Sequence, residues 1–270
     1  MKGLPTLTSF YIITALILSI AFLGCAKNDN AGLTITNGVL SVGVEIGYPP
    51  MEYYDTDGVT LLGFDIELTK ALADKLGLNV KYIDTSWEGI LPGLDTGRYD
   101  IAVNVTIIPE RQKNYNFTKP YINSSIAIAA LKNTYVKFNR PQDIAGRRVA
   151  YQGGTTAQYF TENIMEQGYK IAPFSYDKII NCFDDLNLKR IDLVVVDNIA
   201  ASHYVNKVDS SFEIVWEGQS DEYIGICLKK GNDTLTSALN NALDELFKDG
   251  TIQKISMRIF NTDFVTPVWE

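Results

Sequence analysis

Short apolar runs with the length of strands alternate along this chain with stretches patterned for helices, and that alternation restricts the fold most. Leu40, Val42 and Val44 alternate with Ser41, Gly43 and Glu45, the period of a short strand. Over residues 64–76, Leu68, Ala71, Leu72 and Leu76 form a helical stripe that Gly77 can terminate. A second strand is predicted at 80–83, a short helix from Ile90, and a third strand at 101–105, apolar enough to be buried on both faces. Such a β-α-β series predicts a parallel sheet with right-handed crossovers.

A second series follows a polar, turn-rich segment at 132–148. It comprises a strand at 149–151, a glycine-rich turn, a helix over 156–167 and a strand at 191–196. The tail returns to an apolar strand at 223–228 and a helix over 235–247 that closes near Gly250. Two series predict an α/β chain in two lobes. If the tail rejoins the first lobe, the chain crosses twice, near 123–129 and near 223–228. Two crossings make a hinge, and the cleft between hinged lobes is a common ligand site. The expected division is lobe 1 over 38–125 plus 227–270, and lobe 2 over 126–226.

The start of the chain reads as targeting. Residues 10–23 are apolar apart from Thr14 and Ser19, preceded by Lys2 and followed by Cys25. That run is short of the roughly 20 residues of a membrane span but fits a signal-peptide core. A polar stretch follows the cysteine, so the whole resembles a bacterial lipoprotein signal. It implies a signal peptide over 1–24, a lipid on Cys25, a flexible tether over 25–37, and a protein held on the outer side of the cytoplasmic membrane. The box before the cysteine, Phe22-Leu23-Gly24, departs from the usual leucine-small-small pattern. An ordinary secretory peptide or an uncleaved anchor, with Cys25 incidental, is the alternative. Cys182 and Cys227 lie in apolar stretches and read as small buried hydrophobes, with a disulfide between them left open.

Charge excludes other classes. With 24 Lys and Arg against 32 Asp and Glu, the chain has a formal charge of −8 and no basic stretch to collect phosphates, so no nucleic-acid partner is expected. The one histidine, His203, argues against most zinc sites and against a Ser-His-Asp triad. Neither a metal nor a cofactor is implied.

Several segments, in order, carry a likeness. They are Gly47-Tyr48-Pro49-Pro50-Met51-Glu52-Tyr53, Leu62-Gly63-Phe64-Asp65-Ile66-Glu67-Leu68, Trp87-Glu88-Gly89-Ile90-Leu91-Pro92-Gly93-Leu94 and Gly97-Arg98-Tyr99-Asp100. Pro109-Glu110-Arg111, Phe117-Thr118-Lys119-Pro120-Tyr121, Gly153-Gly154-Thr155-Thr156 and the run from Arg190 to Asp197 continue the series. Each is weak alone. Together they resemble the bacterial extracellular solute-binding proteins for polar amino acids (family 3), receptors of ABC importers with a two-lobed, type II periplasmic-binding-protein-like fold.

The resemblance implies a site. A zwitterionic ligand offers a carboxylate and an ammonium, and arginine matches a carboxylate with two parallel N–H bonds. Arg111 is then the carboxylate clamp, although an arginine after Pro-Glu is by itself more often a surface ion pair. Thr106 would assist with its hydroxyl and amide, and Asn104 would offer a backbone carbonyl to the ammonium. Asp197, at the end of an apolar strand, would be the ammonium partner; its alternative role is the N-cap of a following helix. Thr155 and Thr156 would aim helix N–H groups at the anion, or simply cap that helix. Tyr48 and Trp87 match two aromatic positions that sandwich the ligand side chain, and Glu45 matches a position often acidic where the side chain is cationic or an amide. Gln152 stands where some members carry lysine, which removes one reason to expect an acidic ligand.

The expected function is capture of a polar L-amino acid, with arginine or lysine ahead of glutamine and cystine. The protein would act as a monomer and deliver its ligand to a membrane permease. The competing expectation is a cyclohexadienyl or arogenate dehydratase on the same fold, for which Glu45 could be offered as the acid and no second acid is apparent. In cells fed radioactive palmitate, the lipoprotein reading predicts a labelled chain and loss of the label in Cys25→Ala; an unlabelled wild type contradicts it.

Overall fold

The computed structural model describes residues 32–134 and 137–269. The expected signal peptide, Cys25 and the first part of the tether fall outside them. The chain enters through strand β1 (Val39–Val44), the small ribbon of β2 (Tyr53–Tyr54) and β3 (Leu61–Leu62), and helix α1 (Phe64–Leu76). β4 (Asn79–Asp84), α2 (Trp87–Asp95), β5 (Ile101–Thr106), α3 (Pro109–Asn114), β6 (Tyr115–Phe117) and β7 (Ile122–Ser124) complete the first passage. The second unit holds β8 (Ile126–Leu131), β9 (Arg148–Gln152), α4 (Thr156–Glu166) and β10 (Ala172–Tyr176). It continues through α5 (Ile179–Asn187), β11 (Leu193–Asp197), α6 (Asn198–Val205) and β12 (Phe212–Glu217). β13 (Glu222–Lys229), α7 (Asp233–Lys248), α8 (Thr251–Phe260) and α9 (Thr266–Trp269) end the chain.

Each lobe is built on one sheet. The first runs β4-β1-β5-β13-β6, with β7 also on β13; the second runs β10-β9-β11-β8-β12. Neither is wholly parallel, as the β-α-β pattern alone suggested. β1 pairs parallel with β4 and β5, but β13 lies antiparallel to β5. In the second sheet β9 is parallel to β10 and β11, whereas β8 is antiparallel to β11 and β12. The reversed strands are those that carry the chain between lobes.

Local chemistry accounts for these elements. α1 stops at Gly77, whose left-handed φ of 62° lets its N–H reach the carbonyls of Ala73 and Asp74. β5 is buried along Ile101, Ala102, Val103 and Val105, as its composition predicted. β1 is buried at its polar positions too. The Ser41 amide donates to Asp100 at 2.8 Å, and Gly43 leaves room for the Tyr99 ring, 2.4 Å from where a Cβ would stand. α2 begins at Trp87, three residues before the expected start, which brings that ring to the helix N-terminus.

Two boundaries move. Residues 32–37, expected in a loose tether, are docked: Leu33 packs on the first core and the Ile35 amide donates to Asp100 at 2.6 Å. β13 joins the first sheet from Glu222, so 222–226 pair with lobe 1 rather than lobe 2, and the second crossing is the segment 218–221. The first crossing is Ser125 alone, between β7 and β8. Side chains knit the crossings together: Ser124 Oγ donates to Asn198 Oδ1 at 2.9 Å, and Ser125 Oγ and Asn198 Nδ2 both donate to Glu217 Oε1. Cys182 and Cys227 are buried free thiols on α5 and β13.

Tyr99, 1% exposed, fills the space between β1 and α2 and donates its hydroxyl to the Ile90 carbonyl. Tyr99→Ala should lose about 3–5 kcal/mol, as other large aromatic truncations do, read as a lower urea midpoint with unchanged slope. A midpoint unmoved from wild type would contradict this packing.

Candidate functional site

All ten residues expected at the site line one cavity between the lobes, with about 570 Å³ of empty space including its open mouth. β1 and the turn after it supply Glu45 and Tyr48, α2 supplies Trp87, β5 supplies Asn104 and Thr106, and α3 supplies Arg111. From the second lobe come Gln152 at the end of β9, Thr155 and Thr156 at the start of α4, and Asp197 at the end of β11. The strand ends converge there because both sheets point their relevant termini at the crossings, where open α/β sheets commonly bind ligands.

Arg111 is 6% exposed although it sits on a six-residue helix. Its Nη1 donates to the Thr106 carbonyl at 3.0 Å and its Nη2 crosses the cleft to the Gly154 carbonyl at 3.1 Å. The guanidinium carbon lies 5.5 Å from the centre of the Trp87 ring, whose Nε1 also donates to Gly154 O at 3.0 Å. Burial pulls the Arg111 pKa below its ordinary value. Among the described residues Arg111 forms no ion pair, so its direct partners are neutral carbonyls, although the Glu222 carboxyl is near enough for its charge to favour the cation.

At the other pole Asp197 does both things offered for it. Its Oδ1 accepts the Ala200 amide at 2.8 Å and so caps α6, while its Oδ2 accepts the Tyr48 hydroxyl across the cleft. Burial raises its pKa, opposed by the Tyr48 bond. Asn104 has a left-handed φ of 57°, which turns the β5 backbone at the cavity wall, and its amide donates to Tyr121 Oη at 2.9 Å. Thr155 Oγ1 turns back to the Gln152 carbonyl at 2.7 Å rather than capping α4, leaving the helix N-terminus facing the cavity.

A third pole is acidic. Glu45, 3% exposed, accepts Gln152 Nε2 on both oxygens, at 2.9 and 2.8 Å. Burial lifts its pKa to about 7, against the lowering effects of Gln152 and Lys178. Gln152 Oε1 is buried with no hydrogen-bond partner. Sequence reasoning missed Glu222, the first residue of β13, which also lines the cavity. It stands in the polar run Gln219-Ser220-Asp221-Glu222, which reads as an ordinary surface loop, and only strand pairing turns it inward. It also corrects the expectation that no acid besides Glu45 is at hand.

Residues 40–262 match the model for bacterial extracellular solute-binding proteins, family 3, and the chain belongs to that family. It is 36% identical over 228 residues to the L-cystine-binding protein TcyJ of Escherichia coli (strain K12), covering 84% of each chain. An ancestral arginine-binding protein bound to arginine is similar in structure, with a TM-score of 0.78, 36% identity, and coverage of 83% of this chain and 99% of that one. The ancestral amino acid-binding protein AncCDT-1, a precursor of cyclohexadienyl dehydratase, has a TM-score of 0.75 at 32% identity, covering 83% and 95%. The fold is thus the two-lobed one of amino-acid-binding proteins that serve ABC transporters.

Glu45 gives the fold a pH signature. An acid whose folded pKa is raised contributes stability that is complete below about 4.5 and lost as pH rises through about 7. Glu45→Gln should therefore gain stability relative to wild type between about pH 5 and pH 8, by about 1 kcal/mol or more, in ligand-free denaturant titrations. Parallel pH profiles for the two proteins would contradict the raised pKa.

Proposed function

We propose that this protein captures a polar L-amino acid outside the cytoplasmic membrane and delivers it to the permease of an ABC importer. The observation that carries this reading is the buried Arg111 guanidinium, in no ion pair among the described residues, facing the same cavity as the Asp197 carboxylate. Each of those groups is costly to bury alone, and an α-amino acid brings the complementary charge to both. Tyr48 and Trp87 would flank the side chain, and the α4 N-terminus with Thr155 and Thr156 would help hold the carboxylate. Asn104 and Thr106 line the first-lobe wall beside them.

Charge at the third pole favours arginine or lysine over glutamine and cystine. Glu45 and the unpartnered Gln152 Oε1 are acceptors awaiting a donor-rich side chain. A second carboxylate, such as the distal one of cystine, would instead meet the Glu45 acid in a buried site. Binding alone does the work: ligand settles on one lobe and the other closes through the bonds that already span the cleft, from Tyr48 to Asp197 and from Arg111 to Gly154. The receptor acts as a monomer and needs neither metal nor cofactor. The apolar run before Cys25 supports a lipid anchor that keeps it at the membrane.

Calorimetry against the twenty amino acids and cystine should give tightest binding for arginine or lysine. Arg111→Ala and Asp197→Ala should each weaken it by about 100-fold or more, the scale of stranding a buried charge. Tight glutamate binding with no response to arginine contradicts the cationic choice. Phenylpyruvate or phenylalanine formed from prephenate or arogenate would make the protein an enzyme and contradict the receptor reading.

A further inference from the structure

The cavity wall carries more acid than an amino acid needs. Glu45, Asp197 and Glu222 face it, against Arg111 as its only cationic lining residue, and none of the four forms an ion pair among the described residues. Asp197 serves the α-ammonium and Glu45 the side chain, which leaves Glu222 unassigned. It opens β13 at the point where the chain has just returned to the first lobe, paired in register with Ser124 of β7. It shares the cavity wall with Thr156 of α4, Asp197 at the end of β11 and Arg111 on α3, and the charges of Asp197, Arg111 and its neighbour Asp221 act on its carboxyl. It therefore faces Asp197 and Arg111, the two residues assigned to the ligand's α-groups.

Resting on the amino-acid-binding reading, we infer that Glu222 is a second carboxylate for the ligand's α-ammonium, acting with Asp197, and that its ionisation couples capture to release of a proton. Burial raises the Glu222 pKa to about 7, with Thr156 and Arg111 pulling the other way and Asp197 and Asp221 adding to the rise. Below that pH the group is largely neutral. An ammonium arriving beside it favours the carboxylate, so the proton leaves to solvent as the ligand enters, and affinity improves as pH rises through the window. The ammonium is common to every amino acid, so the linkage is not specific to a cationic side chain. Glu45, by contrast, should respond to the side chain alone.

L-glutamine and L-arginine distinguish the two acids. The full-length chain, stripped of ligand, is titrated with each by calorimetry at about pH 6 in buffers of different ionisation enthalpy, and again at about pH 8. With glutamine the wild type should release close to one proton per ligand at the lower pH, and Glu222→Gln nearly none. Glu222→Gln should also weaken both ligands by about tenfold at the higher pH, and Glu222→Asp should restore proton release. A variant that binds more weakly but releases the same proton shows that Glu222 shapes the cavity wall without meeting the ammonium, and overturns the inference. So does a variant that loses arginine affinity while keeping glutamine, because Glu222 would then face the side chain. If the wild type binds neither ligand nor any other amino acid, the amino-acid-binding reading itself has failed.

Discussion

A buried guanidinium that forms no ion pair among the described residues is the constraint around which this molecule is arranged. Arg111 is held by two backbone carbonyls, one from each lobe, and by the face of Trp87. Carbonyl dipoles make a buried arginine tolerable but do not neutralise it. The same cavity holds three acidic side chains, Glu45, Asp197 and Glu222, none of which forms an ion pair among the described residues. Arg111 comes from α3 of the first lobe and Asp197 from the end of β11 in the second, so the two charges reach the cavity from opposite walls.

The rest of the fold serves that separation. The first sheet sets Glu45 and Asn104 at the ends of adjacent strands, and the second sets Gln152 and Asp197 at the ends of another adjacent pair. Only two short segments join the lobes, and the Ser124, Ser125, Asn198 and Glu217 bonds hold them side by side.

The strand-helix alternation, the helix stop at Gly77 and the buried strand at 101–106 were legible because each depends on local pattern. The antiparallel strands were not, since pairing direction is decided by where the chain recrosses and not by hydrophobic period. β10 and α5 escaped because exposed Ala172, Pro173, Phe174 and Ser175 show no alternation, and α5 follows without a glycine or proline to announce it. For the site, resemblance named ten positions and the fold gathers all ten on the wall of one cavity. Glu222 was invisible for a physical reason: an acidic loop residue and a cleft residue look alike until strand register turns one of them inward.

The most direct measurement is a crystal structure of the protein with L-arginine bound. The account predicts the ligand between the lobes, its α-carboxylate paired side-on with the Arg111 guanidinium and its α-ammonium on Asp197. A ligand seated elsewhere, with those two side chains turned out to solvent, would contradict it.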